Sequence, residues 1–307
     1  MQKKRFLIAS PPYNHQSAGI VVLHELCDTL IRLGYDAYIV FFHSGKSPDF
    51  SWGWSGDPSL HGPGLLKGQL PAFGLDVFAS ELLKEGIVIY PEVIVGNPLG
   101  AAQVVRYFLN KDGGLSGLPT QYQPNDYKLA FSKVFFPDAD GFLFKLLVSP
   151  HFHSRNVPLA ISRHMDTTYV GKGALYAETF RVKNSILITK FWPEDKEQLG
   201  LILRNTRYFY TWDSVSLTNI DAVLCGVVPV VMQWKQSVQA EFDGTELGEF
   251  PHCLAQIDGR EVKVEFVESE FIEKRELFLK KTEKLISSWD QRVAQIADEI
   301  FKHFNMK

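Results

Sequence analysis

Two carboxylates, Asp213 and Asp221, have seven residues between them, and the chain around them reads as a unit that binds an anion. Tyr210 to Trp212 form a short aromatic run that predicts the end of a buried strand. Asp213, Ser214 and Ser216 make a polar turn, and Leu217, Ile220, Val223 and Leu224 then recur at helical spacing until Gly226 stops the helix. The first turn of that helix, Ser216, Leu217, Thr218 and Asn219, offers N–H groups that have no partner within the helix, at the positive end of its dipole. In α/β folds such an end faces the open carboxyl edge of a sheet, where phosphates bind. With 35 acidic residues in 307, two acids at one fixed spacing recur roughly four times by chance. The information therefore lies in their placement around a strand, a turn and a helix start.

The string Asp221-Ala222-Val223-Leu224-Cys225-Gly226-Val227-Val228-Pro229-Val230-Val231 resembles the acid-pair region of retaining, nucleotide-sugar-dependent glycosyltransferases of the GT-B fold, the group 1-like transferases. In that family two Glu stand at this spacing, followed by Ala, apolar residues, Cys or Ser, Gly, and a Pro-Val-Val strand. The resemblance implies that Asp213 contacts donor-sugar hydroxyls and Asp221 the nucleotide ribose, with Ser216, Leu217 and Thr218 on the donor diphosphate. Both acids here are Asp, one methylene shorter than Glu, and carboxylate contacts to hydroxyls are sensitive to reach. The start of the chain is similar to the family too: Gly19 to Leu26 and Leu33-Gly34-Tyr35-Asp36-Ala37 follow its Gly-rich turn, His-x-Leu helix and Gly-His-x-Val strand. Ala18 replaces the usual second Gly of that turn, and Ala18 and Gly19 are thereby implied as donor contacts.

Length bounds the architecture. A chain of 307 residues exceeds the usual single core and predicts two domains, each with its own sheet. The net charge of −3 gives no electrostatic case for nucleic acid. Cys27, Cys225 and Cys253 are far apart and form no Cys-x-x-Cys pair, so they read as reduced and buried. Lys3-Lys4-Arg5 precede an apolar run that Pro11 ends too early for a signal core, and no run is long enough to span a bilayer. The expectation is a cytoplasmic protein, with at most peripheral contact at the inner face of the membrane.

The hydrophobic pattern predicts a first β-α-β unit: strand Arg5–Ser10, a turn at Ser17-Ala18-Gly19, a helix from about Ile20 to Leu33, and strand Asp36–Phe42. Residues 43–74 have no period, and Trp52 and Trp54 within them either stack on a sugar or lipid acceptor or belong to a partly disordered insertion. A helix is expected over Val77–Lys84, strands over Gly86–Tyr90 and Val93–Val95, and a helix over Gly100–Leu109. Val104 to Gly113 resembles a Val-Arg-Trp-x-Leu-Asn-x-x-Gly run of some of these transferases; Arg106 there is read either as acceptor-facing or as an exposed helical Arg. Strands Lys128–Ser132 and Phe142–Val148 follow, then a polar hinge at 149–158. The second half reads as strand Thr167–Val170, strand Ser185–Thr189, helix Pro193–Arg204, strand Arg207–Thr211 and the acid-pair unit. Trp289, Val293, Ile296, Ile300 and Phe304 mark one face of a final helix.

Lys172, between Gly171 and Gly173 at a strand end, has the reach to offset charge on a departing phosphate. The family places an Arg at this strand end and a Lys a few residues on; Arg163 or Lys190 would have to supply the second cation. Asp138-Ala-Asp140 looks like a metal motif but sits in Phe-Pro-x-x-x-Gly turn chemistry, and His151 and His153 have no carboxylate or Cys beside them. Dinucleotide, P-loop and hydrolase-elbow signatures are missing.

The resulting expectation is an α/β, GT-B chain of two Rossmann-like doubly wound domains with a deep interdomain cleft: residues 1–153 on the acceptor side with a 43–76 insertion, 154–288 on the nucleotide-sugar side, and 289–307 as a helix crossing back to the first domain. The implied activity is transfer of a sugar from a nucleotide-diphosphate sugar to a glycan or lipid-linked acceptor, with retention and without metal or cofactor, as in cell-surface polysaccharide synthesis. A sugar-nucleotide epimerase or hydrolase and a non-catalytic partner subunit are the alternatives, and a homodimer is left open.

Overall fold

The computed structural model describes residues 5–15, 17–41, 85–115, 117–154, 162–171, 182–189, 191–213, 216–232, 246–258 and 261–306. The chain divides into two compact units, Met1–Lys145 with Leu285–Lys307, and Leu146–Lys284. The insertion with Trp52 and Trp54, the helix expected over 77–84, and Lys172 and Lys190 lie outside the described residues.

The first unit is built on a six-stranded parallel sheet. Its strands are β1 (Arg5–Ser10), β2 (Asp36–Phe41), β3 (Ile87–Pro91), β4 (Gln103–Phe108), β5 (Tyr127–Ala130) and β6 (Gly141–Phe142), ordered β2-β1-β3-β4-β5-β6. Phe6 to Ala9, Ile87 to Tyr90 and Val104 to Phe108 are buried in unbroken runs, as strands covered on both faces must be. Helix α1 (Ala18–Arg32) buries Val22, Leu23, Leu26, Cys27 and Leu30, each worth about 1.5–3 kcal/mol for a large aliphatic side chain. It stops at Gly34, whose φ of +89° suits the left-handed position after a helix. The final helix, residues 289–303, buries Trp289, Val293, Ile296, Ile300 and Phe301 in this unit, with Trp289 Nε1 donating to Thr29 Oγ1 at 2.8 Å.

Three expectations for this unit are corrected. Residues 103–108 form a strand, not a helix, because the β-branched and aromatic run Val104-Val105-Arg106-Tyr107-Phe108 is buried on both sides, whereas a helix would turn a third of it outward. Val93–Val95 lies in a turn that Ile94 N–H closes on Pro91 carbonyl at 3.1 Å, and Asn97 fastens the loop that follows, its Oδ1 accepting from Ala101 N–H at 3.0 Å and its Nδ2 donating to Ala101 carbonyl at 2.8 Å. The strand at Phe142 also ends there rather than running to Val148.

The second unit carries β7 (Met165–Tyr169), β8 (Ser185–Ile188), β9 (Thr206–Thr211), β10 (Val228–Val231), β11 (Cys253–Asp258) and β12 (Glu261–Val264), ordered β12-β11-β10-β9-β7-β8. All pairs are parallel except β11 with β12. Helix α2 (Lys196–Asn205) is capped by Asp195, which accepts from Gln198 N–H at 2.7 Å, and α3 (Leu217–Leu224) by Ser216. Helix α4 (Glu268–Ser287) buries Phe271 and Phe278; the final helix is α5. Each unit is thus a doubly wound, Rossmann-like sheet with flanking helices, and two such sheets in one chain are the composition of the GT-B fold.

Candidate functional site

Strand order fixes where a ligand can enter each sheet. In the second unit the chain runs outward from β7 to β8 on one side and from β9 through β10 and β11 on the other, so the direction of winding reverses between β7 and β9. Ligands of doubly wound sheets bind at the carboxyl ends of the strands that flank such a reversal. Gly171 stands just past the end of β7 and Asp213 just past the end of β9. The pair is knit together by Trp212 N–H donating to Tyr169 carbonyl at 3.1 Å.

Asp213 is 7 % exposed and packs directly against Gly171. A methyl group on residue 171 would lie 2.7 Å from Asp213 Cβ, 2.7 Å from Tyr169 Cε1 and closer still to Asp213 Oδ2, and its φ of +52° is itself a glycine conformation. Thr211 Oγ1 accepts from Asp213 N–H at 3.2 Å and donates to Asp213 carbonyl at 3.0 Å, while Asn219 Nδ2 donates to the same carbonyl at 2.8 Å. Four residues on, α3 begins. Ser216 Oγ accepts from Thr218 N–H at 3.2 Å, the first turn carries no acid, and Leu217 and Thr218 are half-buried. A helix start with no acid in its first turn favours an anion.

Asp221 lies one turn further along α3. It is half-buried, and burial of its carboxyl pushes the group up to about 8, with Lys196 at the start of α2 opposing the rise. At neutral pH it is therefore largely protonated and able both to donate and to accept. Behind the helix, Cys225 is pushed up to about 12, chiefly by burial, and Cys253 to about 11; burial raises Cys27 as well, so all three stay thiols. Cys27 and Cys225 are buried and Cys253 is half-buried.

Arg163 is corrected as a donor cation. Its buried Nη1 donates to Thr206 carbonyl at 2.9 Å, Cys225 carbonyl at 3.3 Å and Leu203 carbonyl at 3.5 Å, which ties the start of β9 to the carboxyl ends of α2 and α3, at the sheet edge opposite Asp213. Arg275 completes the cap on α3, with Nε to Val223 carbonyl at 2.8 Å. Burial lowers both guanidinium pKa values from their ordinary range, and cations here complement the negative end of the α3 dipole.

In the first unit the winding reverses between β1 and β3. Ala18 and Gly19 open α1 above this edge: Ser17 makes no side-chain cap, the first turn has no acid, and Gly19 packs near Leu109. Glu92, just past β3, accepts from Leu109 N–H at 3.0 Å, and burial raises its carboxyl to about 7. Arg106 is corrected from both of its expected roles. It is fully buried, with Nε donating to Asp126 Oδ2 at 2.9 Å and its guanidinium 4.9 Å from the Tyr90 ring centre, so it braces the core and meets no acceptor. Asp140 ends a turn, as expected, accepting from Lys128 N–H at 2.7 Å. Among the described residues no group of three His, Cys, Asp or Glu is placed to hold a metal, and no helix is long and apolar enough to cross a membrane.

Sequence reasoning passed over the turn that leaves β8 on the same carboxyl edge. Thr189 Oγ1 accepts from Phe191 and Trp192 N–H at 3.2 and 3.0 Å, and the two rings stand 72 % and 44 % exposed. A Phe-Trp-Pro string inside a polar loop was the available signal. Thr211 and Asn219 were also passed over as supports of Asp213.

No family model and no curated protein matches the sequence. Among solved structures, Os79 from O. sativa in complex with UDP is similar at 12 % identity, over 97 % of this chain and 100 % of that one, with a TM-score of 0.43. The catalytic domain of starch synthase IV from Arabidopsis thaliana, bound to ADP and acarbose, is similar at 11 % identity over 99 % of each chain, TM-score 0.44. The glycotransferase of kitacinnamycin is similar at 12 % identity over 99 % and 100 %, TM-score 0.41. Nothing about this chain's donor or acceptor follows from likenesses of that size.

Proposed function

We propose that this protein is a glycosyltransferase that binds a nucleotide-diphosphate sugar at the carboxyl edge of its second sheet and transfers the sugar to a glycan or lipid-linked acceptor hydroxyl. The observation that carries the reading is the coincidence, at the β7/β9 switch point, of a buried carboxylate with a helix that starts four residues later and has no acid in its first turn. In this reading the Leu217 N–H and the Ser216 and Thr218 hydroxyls at the start of α3 hold the diphosphate, and Asp213 accepts from sugar hydroxyls. Asp221 pairs with the ribose, and the exposed Trp192 ring stacks on the base. Lys172, next in sequence after Gly171, offsets charge on the leaving phosphate, and Ala18 and Gly19 offer a second open helix start for phosphate oxygens in the first unit.

Transfer breaks the bond from the anomeric carbon to the phosphate oxygen and forms one from that carbon to the acceptor oxygen. The acceptor proton passes to the departing phosphate, which leaves as the nucleoside diphosphate. Such a route proceeds with retention and asks for no protein base and no metal. Lys190 is retained as a second donor cation.

The test is a thermal-shift panel of uridine, guanosine, cytidine, thymidine and adenosine diphosphates with the full chain. One diphosphate is expected to raise the melting temperature, and Asp221→Ala to reduce the rise. A ligand that stabilises but is turned over without acceptor would make the protein an epimerase or hydrolase; no stabilisation by any would overturn the reading in favour of a non-catalytic subunit.

A further inference from the structure

The main chain of Asp213 is held from two directions by side chains that point away from solvent. Thr211 is fully buried, and its single hydroxyl bridges the N–H and the carbonyl of Asp213 at 3.2 and 3.0 Å. Asn219, 1 % exposed, reaches back from the first turn of α3 to place Nδ2 2.8 Å from the same carbonyl. One carbonyl thus takes two side-chain donors, one from its own strand end and one from the helix that follows. The second bond also fixes the distance between the acid and the helix start. On the far side the Asp213 carboxyl lies where a side chain of residue 171 would begin, so main chain rather than a mobile side chain backs it.

We propose that Thr211 and Asn219 are positioning residues for Asp213, clamping its main chain so that the carboxylate keeps a single location at the carboxyl edge of the second sheet. The proposal rests on the reading that Asp213 contacts the donor sugar. Its physical basis is that a catalytic contact displaced by about 1 Å loses about 10²-fold in rate, while diphosphate binding, which uses the helix N–H groups, is affected far less. The two effects separate in kinetics: loss of placement lowers kcat, whereas general loosening of the unit lowers nucleotide affinity and melting temperature as well.

The experiment compares wild type with Thr211→Val, Thr211→Ser, Asn219→Ala and Asp213→Asn, measuring release of nucleoside diphosphate from the sugar nucleotide and affinity for the diphosphate alone. Thr211→Val keeps the shape and removes the hydroxyl; Thr211→Ser restores it. Expected is a fall in kcat of tenfold or more in Thr211→Val and Asn219→Ala, diphosphate affinity within about twofold of wild type, and recovery in Thr211→Ser. If Thr211→Val does not fold, Asn219→Ala carries the same comparison. Wild-type kcat in Thr211→Val and Asn219→Ala, or equal loss in Thr211→Ser and Thr211→Val, overturns the positioning role while leaving the transferase reading intact. A wild type that releases no diphosphate from any sugar nucleotide overturns the reading itself, and the role with it.

Discussion

Replacing Gly171 by Ala is the sharpest perturbation of the site, because two separate penalties meet at one position. The first is local: φ is +52°, and an L-residue in that region costs about 1 kcal/mol that glycine does not. The second is steric. The added methyl would stand 2.7 Å from Asp213 Cβ and 2.7 Å from Tyr169 Cε1, about 1 Å inside ordinary carbon contact, and these atoms are held by the Trp212–Tyr169 and Thr211–Asp213 bonds. Overpacking of this kind costs about 1–3 kcal/mol, so the total is about 2–4 kcal/mol, which lowers the melting temperature by several degrees. Relief requires Asp213 to move by about 1 Å, so sugar transfer should fall by about 10²-fold even below the melting range. Denaturant unfolding gives the first quantity and diphosphate release the second. A Gly171→Ala protein with wild-type stability and turnover would refute the reasoning on both counts.

Other perturbations separate structure from binding. Arg163→Met should cost about 2–4 kcal/mol, since it removes a buried charged donor from three carbonyls, yet leave diphosphate affinity within about twofold; calorimetric titration showing a tenfold loss would restore Arg163 to the donor site. Trp192→Ala should weaken nucleoside diphosphate binding about tenfold with little change in melting temperature and no effect on inorganic pyrophosphate, which has no base to stack; equal loss for both ligands would count against stacking. The folded Asp221 carboxyl is raised from 3.8 to about 8, so between those values the folded state holds a proton that the unfolded state has released, and stability falls as pH rises through this window. Asp221→Asn should therefore gain on wild type by about 1–3 kcal/mol between pH 4 and pH 8 in urea titrations, and a constant difference across that range would contradict the burial of this group.

Much of the fold was legible because its signals are local. The strand and helix on either side of Ser216, the Gly226 stop at φ +72°, and the elements of the first β-α-β unit each follow from apolar spacing and a nearby glycine. Arg106 shows where that logic fails: a charged residue inside Val-Val-Arg-Tyr-Phe fits an amphipathic helix as well as a strand, and the ion pair that offsets its burial comes from Asp126, twenty residues away. Arg163 misled for the same reason, since its partners come from positions 203, 206 and 225 and leave no pattern beside it. The clamp on Asp213 was invisible because a threonine two residues before an acid and an asparagine six after it are ordinary loop composition, and nothing in that composition says that both side chains turn back to one carbonyl.

The most direct test of the account is hydrogen–deuterium exchange of the full chain with and without the nucleoside diphosphate that stabilises it. Slowed exchange at residues 169–171 and 211–221 is expected, with β12 at the far edge of the same sheet unchanged. Unaltered exchange at both segments under saturating diphosphate would contradict the placement of the donor site at the β7/β9 switch point.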